Sequence, residues 1–223
     1  MKKMWKTVAA VCAATVMMSL LGSCKHNDYH YVPGNYDQGI DDSGELLEIS
    51  GDVLTKCNDK YIPSDGFIEI PDGVTSIASS AFDRCTNLKN VKIPDSVTII
   101  GREAFFYCRN LAGVTIGSGV TIIGDEAFCG CSKLMSVTIP DKVESIGNKA
   151  FSVCSKLMSV TIGRGVTSIG SKAFSGCNDL RSVTFTDTEG WHYGLYGKID
   201  VTDPAENATN LRYGEWSDYS LYK

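Results

Sequence analysis

Cysteine is the residue type in this chain with the widest chemical capacity, because a thiol can bind a metal ion, attack an electrophile or form a disulfide. The chain has 223 residues and nine cysteines. A buried thiol in apolar surroundings has a raised pKa and little reactivity, so cysteines at a regular spacing are interpreted as structural. Cys57 and Cys129 stand outside the regular column, and the sequence leaves open whether any cysteines pair. Five cysteines recur every 23 residues, namely Cys85, Cys108, Cys131, Cys154 and Cys177.

Metal ligands are the next possibility. Residues 129–131 form a C-x-C motif, which is a weak metal signal without a second cysteine pair. His26 and His30 have the i, i+4 spacing of a helical metal site, but a Pro-Gly pair close behind them disfavours a helix. His192 stands alone near the C-terminus. We therefore predict no metal site and no cofactor.

Catalytic motifs are also missing from the sequence. It contains no G-x-S-x-G, H-E-x-x-H or G-x-x-x-x-G-K-[ST] motif. Glycoside hydrolysis needs two facing carboxylates, yet Asp72, Asp95 and Asp141 recur at one position of a repeated turn and are better explained as turn formers. The sequence therefore predicts a protein that is not an enzyme.

Composition and charge exclude two further classes of protein. Residues 25–223 carry 18 basic and 26 acidic side chains, a net charge of −8, whereas a nucleic-acid-binding protein needs a basic surface. One long apolar stretch occurs, at the N-terminus, so a bundle of membrane-spanning helices is excluded. With 43% hydrophobic and 21% charged residues, the rest is typical of a folded domain.

The N-terminal residues have the pattern of a secretory signal. Three lysines precede the uncharged apolar run Thr7–Leu21, which is too short to span a bilayer. The run ends in Leu-Gly-Ser-Cys, which resembles the bacterial lipobox, so we expect residues 1–23 to be removed and Cys24 to carry lipid. Residues 24–44 are rich in Gly, Asp and Asn and predict a flexible tether. The protein would contact a membrane only through this lipid anchor.

An internal repeat organises the rest of the chain. Five gapless units of 23 residues extend from Ile70 to Thr184, and Phe, Leu and Cys recur in every unit. A fixed period in this range is typical of a solenoid, in which each coil buries its apolar side only by stacking on its neighbours. Residues 45–69 and the aromatic-rich residues 185–223 then supply the two end caps that a solenoid needs.

Within a unit, the apolar spacing predicts which segments form strands. In Leu88–Ile93 the apolar residues alternate with polar ones, which indicates a strand with one face buried. Stacked coils would place these strands in a parallel sheet along one side. The Val-x-x-Ile-Gly segment is expected to be a turn, and Ala-Phe-x-x-Cys is expected to form about one helical or 3₁₀ turn. The predicted fold is therefore an α/β solenoid.

At nearly every signature position the units resemble the BspA-like, or treponemal-type, leucine-rich repeat, whose pattern is close to IPxxVtxIgxxAFxxCxxLxxVx. The resemblance covers about half of the chain, and it implies a right-handed coil with a parallel sheet along one face. It also implies a surface-exposed outer-membrane lipoprotein of Gram-negative anaerobes, in a family associated with adhesion to host proteins and to other cells.

The outward positions of the predicted strands are the first candidate ligand site. They form a hydroxyl-rich surface that is nearly uncharged in its middle, although threonine is also a good strand former without any function. The candidate ligand-binding residues of this face are Lys89, Asn90, Lys92, Thr115, Met135, Ser136, Thr138, Met158, Ser159, Thr161, Arg181, Ser182 and Thr184.

A second candidate appears where two units break the polar pattern. Phe106 and Tyr107 replace small or charged residues, and Ile99 and Ile122 replace serines of the other units. We expect these four residues to form an exposed apolar patch, unless the repeat has merely drifted and repacked locally. The aromatic residues of the C-terminal cap could bind a sugar, but sealing the last coil requires the same residue types.

Three functions remain open at this stage. The leading hypothesis is an adhesin-like binding module that contacts a host or bacterial surface protein. The alternatives are a glycan-capture accessory of polysaccharide uptake and a structural lipoprotein that faces the periplasm. The fold alone does not rank these three.

Overall fold

The computed structural model describes residues 45–193, 196–198, 200–213 and 220–223, and those from Leu46 onward belong to one compact unit. The predicted signal peptide (residues 1–23), the predicted lipid attachment site Cys24 and the predicted tether (residues 24–44) lie outside the described residues. Trp216 and Tyr219 of the predicted aromatic cap also lie outside them.

The predicted strand after each leucine is present in every repeat. Neighbouring strands pair in parallel with a shift of 23 residues, for example Val160 with Val183. We call the side of the solenoid that these strands form the long-strand face. Its strands are β3 (Phe67–Glu69), β5 (Asn90–Lys92), β7 (Gly113–Thr115), β9 (Ser136–Ile139), β11 (Ser159–Ile162) and β13 (Ser182–Phe185).

A second sheet runs along another side of the solenoid, where the sequence predicted only a turn. Two residues of each Val-x-x-Ile-Gly segment pair with the coils before and after, as Ser145 does with Ile122 and with Ser168. Such short strands were missed because two residues give too little alternation to recognise. The strands are β4 (Ser76–Ile77), β6 (Ile99–Ile100), β8 (Ile122–Ile123), β10 (Ser145–Ile146) and β12 (Ser168–Ile169).

The Ala-Phe-x-x-Cys segments contain turns and not the expected helical or 3₁₀ turn. Alternate amides bond to the next coil: Phe82 N donates to Ala104 O and Phe105 N donates to Ala127 O, both at 2.7 Å, whereas the amides between them close single turns, as Cys85 N does with Phe82 O at 3.1 Å. The amides that bond to the next coil are therefore not used within their own segment, as a helix would require. The chain is a solenoid with parallel sheets and little helix, in which every coil bonds to its neighbours on three sides.

Columns of identical side chains fill the interior of the solenoid. The five repeat phenylalanines are fully buried and stack face to face, with ring centroids 4.6 to 5.4 Å apart. The column of cysteines lies beside them, and the thiol of Cys108 donates to Phe82 O at 2.9 Å. This contact recurs from coil to coil, so the cysteines are part of the packing.

A hairpin covers the N-terminal end of the solenoid. Strands β1 (Leu47–Ser50) and β2 (Val53–Cys57) pair antiparallel, and β2 pairs in parallel with β4. A 3₁₀ turn at Asp59–Tyr61 follows. The hairpin therefore forms a first, partly regular coil. It extends the sheet of short strands, which has ten strands in all, at this end.

A helix and three short strands lie at the C-terminal end. Strands β14 (His192–Tyr193), β15 (Tyr196–Lys198) and β16 (Leu221–Tyr222) extend the sheet of short strands, with β16 antiparallel to β12. Helix α1 (Pro204–Arg212) packs on β13. Asn207 of this helix is fully buried and donates to Val183 O and to Val201 O, so α1 bonds directly to the last strand of the long-strand face.

Candidate functional site

The long-strand face presents the predicted sheet residues together, because alternate residues of each strand point outward. Thr161 and Ser182 are half-buried, and the other predicted residues are exposed. Nothing covers the central threonines and serines from outside within the described part of the chain. The face is therefore a continuous outer surface that consists mainly of hydroxyl groups.

Met135 and Met158 are the large exposed apolar side chains in the middle of this face, whereas Phe67, which is 44% exposed, lies on its first strand. The two methionines are 50% and 45% exposed and precede paired residues of neighbouring strands, and Met158 N donates to Met135 O at 2.8 Å. Arg181 follows them in the next coil. Exposed methionines adapt their shape to a partner and give up water readily, so this pair is suited to protein contact.

Apart from Arg181 near the C-terminal end, the charged side chains of the face lie near its N-terminal end. Lys92 forms a salt bridge of 2.6 Å with Glu69, and Lys89 donates to Ser64 O at 3.0 Å. Both lysines are held by neighbours of the same surface. The middle of the face therefore has hydroxyl groups and methionines but no charge.

The long-strand face is interrupted between β7 and β9, although the sequence predicted one sheet. The strands divide into two groups of three, and Met135 N donates to Ala112 O over a long 3.4 Å. Gly113 has no side chain to pack, and Asn90 Oδ1 lies 2.6 Å from where its Cβ would be. Val114 is consequently half-buried, whereas Val91 is buried.

The predicted apolar patch is not a single exposed surface. Ile99 and Ile122 are paired neighbours on β6 and β8, and Ile122 is 40% exposed. Phe106 and Tyr107 belong to the turn segments and are half-buried, with their rings in edge contact at 4.6 Å. Tyr107 also lies against Gly130 of the next coil, where a Cβ would be 3.0 Å from its ring. Local repacking therefore explains the two aromatic residues.

A shallow depression of about 460 Å³ lies where the fourth repeat departs from the consensus. Lys142 replaces the Gly or Ser of the other units, and Glu144 replaces their Thr. Sequence reasoning missed this site, although K-V-E-S-I in place of G-V-T-S-I was a readable signal. The lining residues are Thr121, Asp141, Lys142, Glu144, Gly165 and Thr167.

The described cysteines are buried and unpaired. Burial raises the pKa of Cys129 to about 12 and raises the pKa of Cys131 well above its usual value. Such thiols are protonated and are poor nucleophiles and metal ligands at neutral pH. Among the described residues, no three His, Cys, Asp or Glu side chains cluster in a way that could hold a metal ion.

No helix among the described residues spans a membrane. Their helix is neither long nor apolar enough to cross a bilayer.

A family model identified as the BspA type leucine rich repeat region matches residues 64–181 in six copies. The chain therefore belongs to the BspA-type leucine-rich repeat family. Ile62 and Ile68, which precede the first of the five repeats, are buried in the same core as the repeats. Leucine-rich repeat regions of this kind generally serve as non-catalytic modules for protein binding.

Solved structures of bacterial repeat proteins share this fold. A leucine rich cell surface protein from Faecalibacterium prausnitzii has 34% identity and a TM-score of 0.58, over 61% of this chain and 36% of that one. The T. pallidum leucine rich repeat protein has 31% identity and a TM-score of 0.57, over 62% and 68%. A leucine-rich repeat protein from Bacteroides ovatus has 32% identity and a TM-score of 0.51, over 60% and 36%.

The match spans about a third of the length of the first and third of these proteins, and about two thirds of the second. A comparison with curated proteins finds no match. The comparisons therefore establish the family and the fold, and they do not identify a ligand.

Proposed function

We propose that this protein is an adhesin-like, non-catalytic surface lipoprotein that binds a partner protein through its long-strand face. The observation that carries the proposal is the pair Met135 and Met158, which are about half exposed at neighbouring positions of a sheet without central charges. Large apolar side chains near the centre of a flat, polar surface are typical of binding hot spots. A partner that covers them would remove apolar area from water without burying unpaired charges.

The location follows from the sequence pattern that precedes the folded unit. Lipid on Cys24 would hold the solenoid to the outer membrane, and residues 24–44 would separate it from the bilayer. The related Faecalibacterium prausnitzii structure is described as a cell surface protein, which supports an outward orientation. The alternative is that the protein faces the periplasm and has a structural role there.

A protein partner is favoured over a glycan by the chemistry of the two surfaces. Sugar sites commonly stack an aromatic ring against the sugar, and the depression around Glu144 has no aromatic lining residue. The middle of the long-strand face offers methionines and no aromatic ring, and the exposed ring of Phe67 lies apart from them on the first strand, β3. Glycan capture is therefore tested as the alternative.

The first experiment tests orientation. Intact cells are treated with protease, and the folded unit is followed by antibody beside a known periplasmic protein. Loss of the unit with the periplasmic control intact supports surface exposure. Protection in intact cells would overturn the proposal, provided that the same protease cleaves the protein after lysis.

The second experiment tests the binding face. The double variant Met135→Ser/Met158→Ser should bind immobilised extracellular-matrix extract and whole partner cells at least tenfold more weakly than the parent chain. Ile122→Ser is the matched control, because it removes an equally exposed apolar side chain from the sheet of short strands. Equal binding by the parent and the double variant would overturn the assignment of the face. Inhibition by soluble oligosaccharide alone would favour glycan capture.

A further inference from the structure

Cys57 and Cys85 lie against each other at the N-terminal end of the solenoid. Cys57 ends strand β2, and Cys85 is the first member of the cysteine column. The sulfur of Cys85 is 3.8 Å from the carbonyl oxygen of Cys57, and a hydrogen bond with the Cys57 side chain is the largest cause of the raised pKa of Cys85. Both side chains point into the core and are almost completely buried.

Cys85 differs from the rest of its column in how its thiol is held. The other four thiols donate to a phenylalanine carbonyl of an earlier coil at 2.9 to 3.2 Å. Cys85 has no such acceptor, because the corresponding residue 26 positions earlier is Asp59, whose carbonyl accepts from Asn87. Its own acceptor, at 3.8 Å, is Cys57 itself. Cys154 also interacts with the thiol of Cys177, but both of those thiols already donate to phenylalanine carbonyls. Because Cys85 lacks that acceptor, it is the member of the column best placed to turn toward another sulfur.

We propose that Cys57 and Cys85 form a disulfide in the exported protein, which joins the N-terminal hairpin to the first complete repeat. The inference depends on the proposed function in one respect, since export supplies the oxidising compartment. The oxidant is an external disulfide that reacts with protein thiols by thiol–disulfide exchange. One cysteine attacks it and releases a thiol, and the second cysteine attacks the mixed disulfide and releases another. Two protein thiols are thus oxidised as one external disulfide is reduced to two thiols.

The timing of this reaction follows from burial. The hydrogen bond with Cys57 and then desolvation raise the pKa of Cys85, so its reactive thiolate is scarce once the coil has closed. Exchange must therefore precede or accompany folding. The product would be shielded from external thiols by the same burial.

The cross-link would stabilise the part of the solenoid that has the fewest neighbours. It closes a loop between residues 28 positions apart that contains β3, β4 and Phe82, the first ring of the aromatic stack. A terminal coil packs on only one complete repeat, so it frays more easily than a central coil. A disulfide restricts the unfolded chain over this loop and opposes fraying.

The test uses the full chain in mild detergent, refolded in a buffer of reduced and oxidised glutathione. After free thiols are alkylated and the protein is digested, mass spectrometry should find a peptide pair joined through Cys57 and Cys85 and lighter by two hydrogens. Cys108, Cys131, Cys154 and Cys177 should be alkylated. Detection of both Cys57 and Cys85 in alkylated form after complete refolding would overturn the proposal.

A stability measurement adds a second criterion. The oxidised chain should melt about 5 °C or more above the reduced chain. Cys57→Ala and Cys85→Ala should each abolish this difference, whereas Cys154→Ala, a matched change in the same column, should preserve it. A redox-independent melting temperature would contradict the inference. None of these readouts involves partner binding, so failure of the adhesin proposal would leave the result interpretable.

Discussion

The ring of Phe105 lies on the ring of Phe128 with the centroids 4.9 Å apart and the planes 3° from parallel. This distance matches the spacing between neighbouring strands, about 4.8 Å. The stack and the sheets therefore share one repeat distance, and each coil can add a ring without strain. Phe151 and Phe174 continue the stack toward the C-terminal end.

Truncation of a central ring should cost more stability than truncation of the terminal one. Phe128→Ala removes a ring with stacked neighbours on both sides and should lower the free energy of unfolding by about 4 kcal/mol. Phe82→Ala, at the end of the stack, should cost about 1 kcal/mol less, because it loses one stacked partner. Urea denaturation of both variants measures the difference. An equal loss in the two would show that stacking adds nothing to burial.

Val153 has a left-handed backbone conformation, so replacing it with glycine should raise the stability of the protein. Val153 has a φ of 60°, and the equivalent positions of the third and fifth repeats are Gly130 and Gly176. A β-branched side chain is strained at this φ by about 1 to 2 kcal/mol. We expect Val153→Gly to raise the melting temperature by about 2 °C, because relief of strain exceeds the entropy cost of glycine.

Gly176→Val is the reciprocal control. A Cβ at Gly176 would meet its nearest neighbours at 3.5 Å, so the space exists and only the φ of 76° opposes the substitution. This variant should melt below the parent. Both measurements use scanning calorimetry, and a lower melting temperature for Val153→Gly would contradict the prediction.

The features that recur in every repeat could be predicted from the sequence, whereas features that depend on local contacts could not. The Phe, Leu and Cys columns were predictable, because each has one role in every coil. The strands of the second sheet, such as Ser76–Ile77, were not, since two residues cannot show a period. The interruption beside Gly113 depends on how Asn90 packs, and a residue pattern does not contain that contact.

Only part of the candidate site could be predicted from the sequence, for the same reason. Met135 and Met158 follow directly from the repeat register, and the structure places both on the outer surface. Phe106 was expected to be exposed because its repeat position is usually polar, yet the neighbouring turn buries half of it. Lys142 and Glu144 broke the consensus visibly, but the depression becomes apparent only when adjacent coils are stacked.

Alkaline pH should destabilise the protein through its buried thiols. Burial raises the pKa of Cys129 to about 12 from an ordinary value of 9.0. The stability linked to this group is complete below pH 9 and is lost as the pH rises toward 12, since only the unfolded chain releases the proton. Each such thiol should contribute a loss of about 1.4 kcal/mol per pH unit in that window.

Cys129→Ala measures the contribution of one thiol to this pH dependence. Urea unfolding between pH 8 and pH 11 should show a shallower loss of stability for this variant than for the parent. Identical slopes would indicate that the folded-state pKa of Cys129 is not raised. The comparison cancels lysine and tyrosine titration, because those groups are present in both chains.

The contact between Asn207 and Val183 should decide whether the last coil stays closed. The buried amide of Asn207 donates to Val183 O at 2.9 Å and to Val201 O at 2.8 Å. Asn207→Leu keeps a similar volume but leaves both carbonyls without this donor, which should cost about 2 to 4 kcal/mol. Hydrogen exchange should then accelerate in β13 and α1 before it changes in the central strand β9. Thr209→Ala, an exposed change in the same helix, is the control, and equal exchange in β13 for both variants would refute this role for Asn207.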